Sequence, residues 1–213
     1  MNIIIIGTGG AVSEMISIFP KGIKGFLEFP ENYEKYYLRY GNLQYFPILG
    51  SIDDYIPEED DVFVLGMTHI DFRQKVVEKM RAKGARFPNV IHPSCIVQSP
   101  IVGEGNIIGA WSLIGANATI GDFNYLTPWS AIGHDCVVGN HNIFSVTKVC
   151  GHCTIGDRNF FGMGVNVIPH VTIGDDNGIH AGMTVDGPMG SNQLLTLNRH
   201  LEDRIVVENY KRK

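Results

Sequence analysis

Ile108-Gly109-Ala110-Trp111-Ser112-Leu113-Ile114-Gly115-Ala116-Asn117-Ala118-Thr119-Ile120-Gly121 sets an aliphatic residue, then a glycine, on a beat of six. Stepping backward by six lands on Val102, Ile96 and Val90. Stepping forward lands on Leu126, Ile132, Val138 and Phe144, with glycine after most landings, at 103, 109, 115, 121, 133 and 139. The beat then slips by one residue and resumes at Ile155, Phe161, Val167, Ile173, Ile179 and Val185. A short fixed period is the mark of a solenoid. Six is even, so a strand residue six further on returns to the same face of the chain. Six is not a multiple of 3.6, so no helix keeps these residues on one side. Glycine after most of the aliphatic residues suits a corner. Each hexapeptide is then one side of a three-sided coil with its aliphatic side chain inward, and roughly five coils stack into a prism of parallel strands.

Composition narrows the possibilities. The chain has 213 residues, 44% of them hydrophobic, 25 glycines and a net charge of −5. Between Val90 and Gly190 only Lys148 and Arg158 are basic, against seven acidic residues, so nothing there follows a phosphate backbone and nucleic acid is not an expected partner. The start lacks the basic n-region of a signal peptide, and no apolar run is long enough to span a membrane. Four cysteines without a secretory signal point to reduced thiols and a cytoplasmic setting.

Before the prism, Ile3 to Ile6 reads as a buried strand ending in Gly7-Thr8-Gly9-Gly10-Ala11, with a helix from Ala11 to Phe19. Strand, glycine turn and helix start suit a phosphate or another anion. As a dinucleotide fingerprint the turn is incomplete, because Val12 stands where the third glycine belongs. Further strands are expected at Ile23 to Phe29 and Asp61 to Leu65, and a helix at Ile70 to Lys83 closed by Gly84. The aromatic-rich stretch 30–60 gives no assignment. Residues 1–88 therefore read as a small α/β, Rossmann-like domain, 89–190 as the prism and 191–213 as a helical tail, with Leu194, Leu197, Leu201, Ile205 and Val206 at helical spacing.

Gly133-His134-Asp135-Cys136 is the densest chemistry in the repeat. Ile132 points inward and Gly133 turns the corner, so His134 lies outside, where an imidazole can take a proton near neutral pH. Asp135 can hold its tautomer and stabilise the imidazolium. A surface histidine beside a surface aspartate is also commonplace, and spacing alone leaves that reading open. Cys150-x-x-Cys153 with Cys136 and His152 suggests zinc, though a structural site usually wants two such pairs. Histidines 141, 152, 170 and 180 raise a zinc hydratase as a further alternative, with no spacing that groups three of them. Trp111, Trp129 and Tyr125 suggest a pocket wall or a subunit contact.

A glycine-rich α/β start followed by hexapeptides carrying His134-Asp135-Cys136-Val137-Val138-Gly139 and Val167-Ile168-Pro169-His170-Val171-Thr172-Ile173-Gly174 resembles the hexapeptide-repeat sugar acetyltransferases. That family includes the UDP-N-acetylbacillosamine N-acetyltransferases and sialic acid O-acetyltransferases. The resemblance implies a left-handed parallel β-helix, where the general rule for parallel crossovers gives the opposite hand. It implies acetyl-CoA as co-substrate, no metal, and N-acetylation of a nucleotide-linked amino sugar by direct attack. O-acetylation of a sugar and a catalytically silent sugar-nucleotide-binding protein are the alternatives. It further implies His134 as general base with Asp135 as its orienting partner, and acetyl-CoA near Gly151, Met163 and Ala181. The nucleotide-sugar is expected around Gly9, Gly10, Ala11, Glu28 and Gly66, and the assembly is expected to be a homotrimer. Three departures stand out: Ala11 in place of a polar residue, the missing residue between Val138 and Ile155, and the absence of a Gly-x-Pro-Ala motif near the C-terminus.

Overall fold

Ile108, Leu126, Phe144, Phe161 and Ile179 lie in one column, each almost wholly shielded from solvent, because the beat returns each to the inside of its coil. They belong to the first of three parallel sheets, built from two-residue strands that include Ile107–Ile108, Tyr125–Leu126, Ile143–Phe144, Phe160–Phe161 and Gly178–Ile179. The second sheet runs through Ile96–Val97, Leu113–Ile114, Ala131–Ile132, Lys148–Val149, Asn166–Val167 and Thr184–Val185. The third holds Thr119–Ile120, Val137–Val138, Thr154–Ile155 and Thr172–Ile173. Every coil pairs in parallel with the next, and the three sheets enclose one core in which the Phe144 and Phe161 rings stack 4.7 Å apart. This is the stacked-coil architecture expected from the beat. The structure is a computed structural model describing residues 1–16, 21–100 and 103–197 and the backbone of 204–208. The chain divides into two units, Met1–Val90 and Ile91–Lys213.

The slip in the beat is localised. From Ile107 to Gly178, successive strands of the first sheet start 18 residues apart except from Ile143 to Phe160, which are 17 apart. The shortened corner is Ser145-Val146-Thr147, between Ile143–Phe144 and Lys148–Val149. From Ile107 to Val185 the other corners have four residues with the third at positive φ, as at Trp129 (61°), Asp135 (57°) and His141 (57°); here Val146 takes that conformation at 49°. A β-branched side chain is a poor occupant of this region, so the missing residue is absorbed as backbone strain.

The corner joining the third sheet to the first is locked from within. Asn106, Asn124, Asn142, Asn159 and Asn177 are fully buried there. The Nδ2 of Asn142 donates to Asn124 Oδ1 (3.1 Å) and to the Gly156 carbonyl (2.8 Å), and Asn159 repeats this one coil on, to Asn142 and Gly174. From Asn106 to Asn159 each amide both donates and accepts, so neither half is left unpaired in a dry interior, whereas at Asn177, on the last coil, the oxygen accepts from the Gln193 N–H and the buried Nδ2 has no partner among the described residues.

The expected C-terminal helix is corrected. Gln193–Leu197 and Arg204–Glu208 are strands of an antiparallel pair, the first of which extends the first sheet by pairing Gly178 with Leu194 and Ile179 with Leu195. An open sheet edge at the end of a stack is a stronger determinant than local helical spacing, because pairing satisfies its free backbone groups. Residues 198–203 and 209–213, also within that expectation, lie outside the described residues.

In the first unit, β1 (Asn2–Ile6), β2 (Ile23–Leu27), β3 (Ile48–Gly50) and β4 (Asp61–Leu65) form a parallel sheet in the order β3-β2-β1-β4. Helix α1 (Gly10–Met15) follows β1 and α2 (Ile70–Ala82) follows β4, with Gly84 at φ +84° ending the latter. The last residues of the helix expected to Phe19 lie outside the described residues. Stretch 30–60 resolves into three short 3-10 turns and β3. Its aromatics cover β2, with Tyr37 and Phe46 both edge-on to Phe26 at 6.2 and 6.0 Å. At the start of β4, buried Asp61 accepts hydrogen bonds from Tyr55 (2.7 Å), Lys24 (3.0 Å), Asn2 (3.2 Å) and the Glu58 N–H (3.0 Å). Burial raises the Asp61 pKa, and these donors more than offset it, leaving the carboxyl below its ordinary range.

Candidate active site

His134 and Asp135 stand at the corner between the second and third sheets, after Ala131–Ile132 and before Val137–Val138. Cys136 closes the corner inward and is fully buried, so the polar pair is left outside. Asp135 adopts the positive φ of the corner, which aspartate tolerates better than most residues. The His134 Nδ1 and Asp135 Oδ2 are 2.7 Å apart. With Nδ1–H donating to the carboxylate, the neutral ring carries its lone pair on Nε2, free to accept a proton. Asp135 also accepts from Asn117 Nδ2 at 3.1 Å. The hydrogen bonds from His134 first, and Asn117 second, hold Asp135 below the usual carboxylate range, so it is ionised at neutral pH.

The neighbouring coil completes the setting. The His152 N–H donates to the His134 carbonyl at 2.9 Å, and its Nε2 lies 3.9 Å from Asp135 Oδ2. The His152 ring meets His134 edge-on at 5.0 Å and stacks flat on His170 at 4.8 Å. Gly151 sits beneath the His134 ring: a Cβ there would come within 2.6 Å of both Cε1 and Nε2. Gly151 thus belongs with His134, whereas Met163 and Ala181 stand at the corner between the first and second sheets. The three residues expected near acetyl-CoA thus stand at two corners of the prism, because Gly151 follows Lys148–Val149 while Met163 and Ala181 follow Phe160–Phe161 and Gly178–Ile179. His152 was missed as a partner of the pair. Its signal was the shortened coil, which sets it 17 residues after Asp135.

Cys136 and Cys153 do not converge on a common point outside. Their Sγ atoms donate to the Cys150 and Ile168 carbonyls at 3.1 and 3.2 Å, and Cys150 is exposed. Burial pushes the Cys136 thiol up to about 11, far from the thiolate a nucleophile or ligand needs. Trp111 and Trp129 stack on each other at 5.0 Å on an exposed corner, while Tyr125 is buried apart from them.

In the first unit, Gly9, Gly10, Ala11, Glu28 and Gly66 line one cavity of about 370 Å³ at the C-terminal ends of β1, β2 and β4. Glu28 is held there by Thr8 Oγ1 (2.7 Å), the Phe29 N–H (2.9 Å) and Asn32 Nδ2 (3.1 Å). Thr8, fully buried, was not singled out from sequence. Gly66 has a packing reason of its own, since a Cβ would lie 2.3 Å from Val12 Cγ2. The close approach that a third glycine would have allowed at position 12 is supplied by the facing strand instead. Gly9 opens onto free space, and a Cβ at Gly10 would first meet the Tyr40 hydroxyl at 2.8 Å.

No family model matches the chain, and no curated protein does. Among solved structures, PerB from Caulobacter crescentus, in complex with CoA and GDP-perosamine, superposes with a TM-score of 0.83 at 25% identity over 97% of each chain. The acetyltransferase domain of PglB from Neisseria gonorrhoeae FA1090 gives 0.81 at 20% identity, covering 93% of this chain and 97% of that one. WeeI from Acinetobacter baumannii AYE gives 0.82 at 21% identity over 97% and 100%. The chain has the fold of these hexapeptide-repeat sugar acetyltransferases. The likeness extends over both units, and the stacked parallel coils fit a left-handed β-helix. Among the described residues no helix is long and apolar enough to cross a membrane.

Proposed function

We propose that this protein transfers an acetyl group from acetyl-CoA to the amino group of a nucleotide-linked sugar. The observation that carries the reading is the His134–Asp135 pair, 2.7 Å apart on an exposed corner of a fold whose solved relatives include one with acetyl-CoA bound and one with CoA and GDP-perosamine bound. His134 Nε2 takes a proton from the amine as nitrogen attacks the thioester carbonyl, and Asp135 stabilises the imidazolium. The tetrahedral intermediate then collapses, and the CoA sulfur leaves with the proton returned to it. Attack is direct: the cysteine nearest the base in sequence, Cys136, is buried and protonated.

The first unit is the nucleotide-sugar domain in this reading. Its order β3-β2-β1-β4 matches half of a doubly wound dinucleotide fold, in which ligands bind at the carboxyl ends of the strands where the order reverses, the place of the cavity lined by Gly9 and Glu28. Acetyl-CoA lies against the prism near Gly151, Met163 and Ala181. Met163, Val137, Phe160 and Ile168 are all exposed, more apolar surface than a lone prism leaves bare, and three copies packed around an axis cover it. The setting of the reaction is the cytoplasm.

The test is release of CoA with GDP-perosamine and a panel of UDP-linked amino sugars, with the product identified by mass. Acetylated amine is expected; acetylated hydroxyl, or acetyl-CoA turnover that no amino sugar stimulates, overturns the reading. Gly9→Val, which fits the backbone at φ −73°, should raise KM for the sugar nucleotide several-fold and leave KM for acetyl-CoA unchanged. A rise in both would remove the division of labour between the units.

A further inference from the structure

One ligand atom from each of His134, Asp135 and His152 can be chosen so that all lie within 4.8 Å of one another. Two imidazoles and a carboxylate suit Zn²⁺ and its borderline neighbours rather than Mg²⁺ or Ca²⁺, which want oxygen. Zinc bonds of about 2.0–2.1 Å set tetrahedral ligands about 3.3 Å apart, so the three atoms need only shift modestly around an ion. All three side chains are free to make that adjustment, being 59, 38 and 48% exposed. The backbone beneath them is fixed: the His152 N–H is bonded to the His134 carbonyl, and the coils are paired at Val137–Thr154 and Val138–Ile155. Three protein ligands leave a fourth position for water.

We propose that His134, Asp135 and His152 form a seat for a Zn²⁺-class ion, and that an ion in it silences His134. The silencing rests on the base assigned above; the seat does not. Bound through Nδ1, the ion displaces the proton shared with Asp135 to Nε2, the tautomer in which a neutral imidazole offers Nδ1. When the proton moves to Nε2, the lone pair the reaction needs is lost. Bound through Nε2, it occupies that lone pair directly. In both cases it also takes the Asp135 carboxylate away from the ring.

The experiment uses the full chain, stripped with a chelator and titrated with Zn²⁺ by calorimetry and with Co²⁺ by absorption. One ion per chain is expected, with nitrogen and oxygen ligation. His152→Ala should weaken binding at least about tenfold, with a melting curve that matches wild type. His170→Ala, which removes the stacked ring but no ligand, should keep the seat. Turnover by wild type should fall with the same Zn²⁺ midpoint as binding and return with EDTA, while His152→Ala should need at least tenfold more Zn²⁺. No bound ion, an ion that survives His152→Ala, or a thiolate band lost in Cys150→Ser overturns the seat and leaves the His134 assignment untouched. An ion bound at the seat with turnover unaffected upholds the seat and overturns the silencing, and with it His134 as the base.

Discussion

Two corners of the same prism use one backbone to opposite ends. At Gly139-Asn140-His141-Asn142 and at Gly133-His134-Asp135-Cys136 the third residue has the same positive φ, 57° in both. The fourth residue points inward at each, and there the likeness stops. Asn142 is polar and buried, bonded to the coils above and below; Cys136 is a small apolar filler. One corner spends its polar groups on coil-to-coil register. The other turns them outward, where Asn117, Asp135 and His152 bond or approach one another in solvent. Position within the hexapeptide, more than residue type, thus separates a polar group that holds the fold from one available for chemistry.

The contrast is sharpest at His134. His134→Ala should lower kcat by about 10² to 10⁴ with no change in melting temperature. Near-normal turnover would mean that the outward corner is as passive as it is exposed. Asn142→Ala should do the reverse. It strands the Asn159 N–H and the Gly156 carbonyl in a dry interior and takes one partner each from Asn124 Oδ1 and Asn159 Nδ2, at a cost of about 3 kcal/mol in urea unfolding, with kcat of the folded protein intact. Lost turnover without lost stability would erase the distinction between the corners.

Gly151→Ala lies between these extremes. The three atoms nearest the new methyl all belong to the His134 ring, so the ring must turn, and kcat should fall about tenfold to a hundredfold at constant stability. A raised KM for acetyl-CoA with kcat preserved would return Gly151 to the co-substrate role that the family resemblance implied. The smallest effect is expected at the shortened corner. Val146→Asn places a residue that tolerates positive φ at 49°, and should stabilise the protein by about 1 kcal/mol, read as a higher melting temperature. A loss of stability there would show that Val146 packing outweighs its strain.

The prism was legible because its determinant is periodic and local: each aliphatic landing from Ile108 to Val185 needs only its own coil to define inward and outward. His134 and Asp135 were legible for the same reason. His152 was not, because its approach to Asp135 depends on where the repeat loses a residue, and only the chain path places that loss at Ser145–Thr147. Stretch 30–60 defeated periodicity because it folds as 3-10 turns whose aromatics answer to Phe26 on β2. Leu194 to Leu197 misled in the other direction, since a helical spacing was overruled by a sheet edge that needed a partner. The incomplete glycine turn was compensated at Gly66, a site 54 residues beyond Val12 that no local motif connects to it.

The buried asparagines make the prism a ruler. Every rung from Asn106 to Asn159 presents the same donor and acceptor to its neighbours, so an added coil of the 121–138 kind would find its partners on both sides already in place. Length along the axis can therefore change only in whole graduations of about 4.8 Å, the spacing between paired strands. Features on one edge of such a stack are set apart by integers. A lineage that gained or lost a coil would shift one station relative to another by a full graduation while leaving each of them internally unchanged.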